Sequence, residues 1–210
     1  MEILYFKEVD STHTQLLKKL ETEQLKLPVA IWSEFQTSGV GSRTSSWLGE
    51  RGNIFLSFAI LKDELPKDLP LHSASIYFSW LLLQVLRESG SKVWLKWPND
   101  FYLDKKVGGT ITTVKGNSII VGIGINSLSS RDFQSLDIEI DNREVIERYL
   151  KKVSSGVSWK TIFSEYSREF FKSSEFKVHT DSGDYIPLKD ASIYSDGSIV
   201  INGERIYNGR

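Results

Sequence analysis

The run Asn53–Leu61, Asn-Ile-Phe-Leu-Ser-Phe-Ala-Ile-Leu, is apolar at nearly every position. A strand apolar on both of its alternating faces must be covered on both sides. Shortly downstream, Leu71–Ser89 reads as a long helix. Its apolar residues Ala74, Ile76, Tyr77, Trp80, Leu81, Leu83 and Leu86 wrap more than one face, so it belongs in the core. Gly90 then ends it. A chain that must bury both elements is layered: a sheet flanked by helices. The 210 residues suit one medium domain, or one domain plus a small appendage. At 40% hydrophobic and 12% aromatic, the composition supplies a full core.

Several function classes drop out early. The net charge of −1 creates no field that would favour nucleic acid or an anionic membrane. With no cysteine, disulfides, thiolate metal sites and cysteine nucleophiles are excluded. His13, His72 and His179 lie far apart with no ligand spacing, so no dedicated metal site is expected. No apolar run reaches the roughly 20 residues of a membrane span, and the N-terminus lacks the basic-then-apolar layout of a signal peptide. The expectation is a soluble, cytoplasmic protein.

Ile3–Phe6 reads as a short strand, and Asp10-Ser11-Thr12 offers N-cap residues to a helix over Thr14–Glu23. Hydroxyls and backbone N–H groups at this strand-to-helix junction suit a ligand, or plain capping. Val29–Thr37 reads as a strand ending at Gln36-Thr37. Ser38–Ser46, with Gly39, Gly41 and Arg43, is a polar loop of the kind that orders over ligands. Trp47 after it suits either base stacking or anchoring of the loop. Val107–Val114 and Ser118–Ile125 form a hairpin over Lys115-Gly116-Asn117. The second strand runs into Gly122-Ile123-Gly124-Ile125-Asn126, which no helix follows, so a dinucleotide fingerprint fails. Ser127–Ile140 is polar and irregular. Asp141–Val153 and Ser158–Lys172 are amphipathic helices. The short β-type runs Phe176–His179, Ser192–Tyr194, Ser198–Ile201 and Glu204–Tyr207 follow, with turns at Asp181-Ser182-Gly183, Asp196-Gly197 and Asn202-Gly203. This last unit is too short for a core of its own and must dock on the rest.

Lys96–Gly109 joins these parts. Pro98 ends the strand-like run Val93–Trp97, Asn99-Asp100 makes a turn, and Asp104-Lys105 makes a second before Lys106. Two reversals gather Asn99, Asp100 and Lys106 at one sheet edge. An amide, a carboxylate and an ammonium there suit a phosphate-bearing ligand, or two solvated turns.

Lys96-Trp97-Pro98-Asn99-Asp100, Lys106-Val107-Gly108-Gly109 and Gly122-Ile123-Gly124-Ile125-Asn126, in that order and spacing, resemble the biotin protein ligases. The resemblance covers essentially the whole chain. It implies an α+β fold: a mixed sheet flanked by helices, like the class II aminoacyl-tRNA synthetases, over residues 1–175. A small SH3-like β domain over 176–210 completes it. It also implies an enzyme that converts biotin and ATP, with Mg²⁺, to biotinyl-5′-AMP and then biotinylates a lysine of the biotin carboxyl carrier domain of acetyl-CoA carboxylase. No dedicated metal site accompanies the Mg²⁺·ATP, and a homodimer is compatible. Lys106 takes the catalytic role. Ser11, Thr12, His13, Gln36, Gly39, Gly41, Lys106, Gly109 and Gly122 match the biotin contacts. Arg43, Trp47, Asn99, Asp100, Lys106 and Asn126 match the ATP and adenylate contacts. One departure stands out: the family's adenylate loop places an arginine where this chain has Ser42. The pattern begins within the first dozen residues, so a DNA-binding repressor domain is not expected. Rival readings are a lipoate or octanoate transferase of the same fold, and a non-catalytic biotin- or nucleotide-binding module.

Overall fold

The computed structural model describes residues 1–41, 45–128, 132–179 and 185–207, with only the backbone of His179. Chain order begins with β1 (Glu2–Phe6), α1 (Thr12–Glu21), β2 (Val29–Ser33), and a two-rung hairpin of β3 (Gly39–Val40) and β4 (Ser46–Trp47). Then come β5 (Ile54–Leu61), α2 (Ala74–Glu88), β6 (Trp94–Lys96), β7 (Asp100–Tyr102), β8 (Lys106–Lys115) and β9 (Ser118–Ile125). Helices α3 (Asn142–Ser154) and α4 (Trp159–Tyr166) precede the short strands β10 (Lys177–His179), β11 (Tyr185–Pro187), β12 (Ser192–Ile193), β13 (Ile199–Ile201) and β14 (Glu204–Ile206). No described helix is long and apolar enough to cross a membrane.

Seven strands form one mixed sheet in the order β1-β2-β5-β9-β8-β7-β6. Only the β1–β2 pair is parallel; the others in this sheet are antiparallel. The period-two alternation of a strand decides which layer each residue joins. Along β5, Ile54, Leu56, Phe58 and Ile60 enter the main core with α2, α3 and α4. On the opposite face Ala59 packs with Leu16 of α1, Val29, Ile31 and Ile120 in a smaller core. The β5 run is therefore buried on both faces, as its composition requires. Helix α1 covers only part of its face, and the sheet beyond its N-terminus is floored by glycine. Ser57 pairs with Gly122, Gly122 with Ile111, Gly124 with Gly109, and Gly109 with Asp100.

Three differences from the sequence reading have local causes. Strand β2 stops at Ser33 rather than Thr37, because the Ser33 hydroxyl donates to Phe35 O (2.8 Å) and accepts from Phe35 N (3.3 Å). A side chain that bonds its own backbone competes with the ladder. The long helix starts with a 3₁₀ turn, Leu71–Ser73, and α4 likewise passes into a 3₁₀ segment, Ser167–Ser173. Strand β11 is not among the β-type runs read from the sequence; it pairs with β10 and ends at Pro187, so it needs few ladder donors. The expected turn at 181–183 lies outside the described residues.

The C-terminal strands form a two-stranded and a three-stranded sheet, docked as their small size demands. Val178, Leu188, Ile199, Ile201 and Ile206 continue the main core. Three tethers bind their turn to the main layer. Trp97 Nε1 donates to Gly197 O (3.0 Å), Trp159 Nε1 donates to Ser195 O (2.7 Å), and the Ser73 hydroxyl donates to Asp196 O.

Candidate functional site

The glycine floor and the start of α1 enclose a cleft lined by Ser11, Thr12, His13, Gln36, Gly41 and Trp47 on one side. Ser57, Asn99, Asp100, Lys106, Gly109, Thr110, Gly122 and Gly124 line the rest, with Val40, Ile111 and Ile123 as its apolar members. Its two ends differ in chemistry.

One end is neutral and dense in hydrogen-bonding groups. Ser11 caps α1, its hydroxyl accepting from Thr14 N at 3.4 Å. Thr12 N donates to Gln36 Oε1 (2.7 Å), the Thr12 hydroxyl reaches the same oxygen (3.0 Å), and Thr12 Oγ1 also meets Ser57 Oγ at 2.8 Å. This mutual bonding fixes the Gln36 amide at the end of a single parallel bridge with Val9. His13 is buried beside it. Its Nε2 lies 3.2 Å from Thr113 Oγ1, and burial pushes its pKa below the ordinary imidazole value, so the ring is neutral.

The other end is charged. Lys106 Nζ lies 2.7 Å from Asp100 Oδ1, and Lys96 Nζ lies 3.4 Å from Asp100 Oδ2. One carboxylate thus bridges two ammonium groups. Lys96 is further held over the Tyr102 and Phe176 rings, while Lys106 sits 5.6 Å above the Trp47 ring. The turn carrying Asp100 is locked to β8: Thr110 N donates to Asn99 O (3.0 Å) and the Asn99 amide donates to Thr110 O.

Buried polar atoms normally find partners. His13 Nδ1, Trp47 Nε1 and Thr110 Oγ1 have none among the described residues, and all three residues line this cleft. Such a set marks a surface that a polar ligand completes.

Of the residues singled out in the sequence, Ser11, Thr12, His13, Gln36, Gly41, Trp47, Asn99, Asp100, Lys106, Gly109 and Gly122 meet here. Gly39 does not line the cleft; a Cβ there would lie 2.7 Å from Gln36 Nε2 and 2.4 Å from Trp47 O, so it leaves room for both. Asn126 also lies apart: it accepts from Asn53 Nδ2 (3.5 Å) and donates to Gln134 O (3.2 Å). Arg43 and Ser42 lie outside the described residues. Sequence reasoning passed over Ser57, Thr110 and Ile111. Ser57 carried a usable signal, as a hydroxyl in the middle of an otherwise apolar strand.

The model of the biotin/lipoate A/B protein ligase family matches residues 5–127. The chain belongs to this family. Within the family, it is 32% identical over 136 residues to the bifunctional ligase/repressor BirA of Escherichia coli, an alignment covering 61% of this chain and 41% of that protein. The BirA of Salmonella typhimurium gives 32% over 131 residues, 59% and 40% of the two chains. The chain thus spans about two fifths of the length of these curated relatives. Among solved structures, the biotin acetyl coenzyme A carboxylase synthetase of Helicobacter pylori, with bound biotinylated ATP, superposes with a TM-score of 0.93. It shares 40% identity, over 97% of this chain and 98% of that one. The Aquifex aeolicus biotin protein ligase, in complex with biotin and ATP, gives a TM-score of 0.78 at 24% identity over 99% and 96%, which speaks to the fold alone.

Proposed function

We propose that the chain is a biotin protein ligase. It joins biotin to ATP as biotinyl-5′-AMP and passes biotin to a lysine of a biotin carboxyl carrier domain. The observation that carries this reading is the polarity of one continuous cleft. A neutral array of Ser11, Thr12 and Gln36 faces a cationic end at Lys106 across glycine, in a fold whose 40%-identical neighbour holds biotinylated ATP. A cyclic urea offers N–H donors and a carbonyl acceptor to the neutral array. Polar sites of that type reject analogues lacking those atoms sharply. The carboxylate-bearing tail then runs over Gly122 and Gly109 toward Lys106.

In the first step a carboxylate oxygen of biotin attacks the α-phosphorus of ATP, and the bond to the bridging oxygen breaks, releasing pyrophosphate. In the second, the carrier lysine's amine attacks the anhydride carbonyl and AMP leaves. Both steps crowd negative charge at the Lys106 end. A fixed ammonium stabilises that charge without reorganising during the reaction, and lysine suits the task as a compact point charge. Asp100 holds Lys106 in place from the side. The Trp47 ring, laid on Gly124, offers a face to adenine.

Among the described residues no three His, Asp or Glu side chains could hold a metal together. Magnesium arriving on the nucleotide would take a protein oxygen from Asn99 or Asp100, which line the cleft beside Lys106. Magnesium would neutralise phosphate charge there. The reaction belongs in the cytoplasm, where ATP and a carrier domain meet.

The deciding experiment incubates the protein with ATP, Mg²⁺, biotin and a carrier domain, and follows the carrier's mass. Addition of one biotin is expected. An unmodified carrier, where a control ligase works in the same buffer, overturns the reading. A parallel arm with lipoate or octanoate separates the other activities of the fold.

A further inference from the structure

We infer that Gln134 is a positioning residue for Lys106. With Asn126 it grips the backbone on both sides of that lysine, so the segment after β9 sets where the ammonium stands during adenylation. This rests on the ligase reading and adds a residue to it.

Lys106 occupies an irregular place in the sheet. Tyr102 pairs with Lys106 and Phe101 pairs with Gly108, so the β7–β8 ladder skips Val107. A bulge of this kind leaves one residue unpaired and re-aims the side chains beside it. On its other side Lys106 follows directly on a turn, which Leu103 N closes by donating to Lys105 O (3.1 Å). Pairing with β7 alone therefore leaves the direction of the lysine underdetermined.

Two bonds from a single segment supply what the bulge removes. Asn126 N donates to Val107 O (2.8 Å), and Lys105 N donates to Gln134 Oε1. The residue before Lys106 and the residue after it are thus both held from 126–134. That segment is closed on itself: Asn126 Nδ2 donates to Gln134 O (3.2 Å), and Leu136 N donates to Asn126 O (2.9 Å). Leu136 is buried in the main core and anchors the arrangement. Asn126, which lies apart from the cleft, reaches Lys106 by the same route, through the backbone.

The division of labour follows from burial. Gln134 is half-buried and Lys105 is exposed. Without the glutamine, water can satisfy the Lys105 amide, so the bond adds little to folding. Its effect falls on geometry instead. Asp100 holds the far end of the Lys106 side chain at 2.7 Å, and Gln134 holds the backbone end. A misplacement of about 1 Å at a reacting centre can cost on the order of 10²-fold in rate, even when its cause lies outside the site.

The test separates position from stability. Biotin-dependent pyrophosphate release and biotin calorimetry are measured for wild type, Gln134→Ala, Gln134→Met and Gln134→Glu, with melting temperatures alongside. Alanine and methionine lack the acceptor and should lower kcat about tenfold while biotin affinity stays within about twofold. Their melting temperatures should stay within about 2 °C of wild type. Glutamate keeps an oxygen at the same reach and should bring kcat back to within about threefold. Gln134→Ala is also made in the Lys106→Ala protein, where it should cost no further activity, because nothing is left to position. Wild-type kcat in the alanine and methionine variants overturns the role and leaves the ligase reading intact. So does an equal loss in the Lys106→Ala background, a glutamate variant that does not recover, or a loss that tracks a fall in melting temperature. Absence of biotin-dependent pyrophosphate release in wild type overturns both.

Discussion

The Lys106 ammonium lies 2.7 Å from Asp100 Oδ1, and the same carboxylate meets Lys96 through its other oxygen. The pair spans a tight reversal: Asp100 opens β7, Lys106 opens β8, and Asp100 stands opposite Gly109 in the ladder. The glycine between them and the ligand space leaves the ammonium uncovered. A Cβ on Gly109 would approach Lys106 Cε and Nζ at 3.5 and 3.6 Å. Lys96, by contrast, is tied over two aromatic rings and lies behind the cleft. The two lysines on one carboxylate thus sit differently: Lys96 anchors it from behind, and Lys106 faces the cleft.

Lys106→Ala should keep biotin binding, because the neutral end of the cleft does not depend on it. It should lower adenylate formation by about 10²–10³-fold, the usual loss when one preorganised charge-stabilising group is removed. Pyrophosphate release measured beside biotin calorimetry checks this. Unchanged turnover would remove Lys106 from the chemistry.

Trp47 packs against the floor, and a Cβ on Gly124 would fall 2.4 Å from its Cε2. Gly124→Ala must therefore lift the indole away from the position where it faces Lys106. The KM for ATP should rise by about tenfold, since aromatic stacking on a base contributes roughly 1–3 kcal/mol, while biotin affinity stays within about twofold. A biotin-only defect would mean that Trp47 serves the other end of the cleft.

Most elements could be read from sequence because their signals are local. The apolar β5, the α1 cap at Ser11, the β8–β9 turn and the amphipathic α3 all follow from residue spacing. What escaped was set by distant parts of the chain. Ser57 stands out in sequence only as a hydroxyl in an apolar strand; its partner, Thr12, is brought to within 2.8 Å of it by α1. Asn126 and Asn99 look alike as polar residues after a strand, yet one joins Asn53 and Gln134 while the other locks the turn carrying Asp100 to Thr110. The double pairing of Asp100 was hidden because Lys96 reaches it across the turn at Pro98. Register, rather than composition, made these choices.

The turn that receives the Trp97 indole depends on one backbone conformation. Gly197 has φ +83°, and a Cβ there would lie 2.3 Å from Ser73 Oγ. Gly203 has nearly the same backbone, φ +82°, with nothing within 4 Å. Gly203→Ala isolates the cost of a left-handed alanine, about 1–2 kcal/mol. Gly197→Ala adds the steric conflict and should lower the melting temperature by several degrees more, at about 2–4 °C per kcal/mol for a chain this size. Since Trp97 precedes Asn99 by one turn residue, Gly197→Ala should also slow adenylation, and Gly203→Ala should not. Equal melting temperatures in the two variants would show that the turn yields without cost.

Acid should expose a different part of the scaffold. Arg87 of α2 grips Glu169 with two parallel bonds, 2.6 and 2.8 Å, and Lys172 adds a third at 2.7 Å. The Arg87 guanidinium chiefly, with Lys172, holds the Glu169 carboxyl down from its ordinary 4.5 to about 2. A depressed carboxyl contributes stability that is fully present above its unfolded pKa and is lost as pH falls toward the folded one. The window is therefore from 4.5 down to about 2. The shift corresponds to roughly 3 kcal/mol at 1.36 kcal/mol per unit, and partial exposure of the pair reduces it to about 1–2 kcal/mol. Glu169→Gln should be less stable than wild type by that amount at neutral pH. The difference should shrink as both proteins are unfolded by denaturant at successively lower pH, until the two converge near pH 2. A stability gap independent of pH would assign the effect of Glu169 to packing of its aliphatic stem instead of its charge.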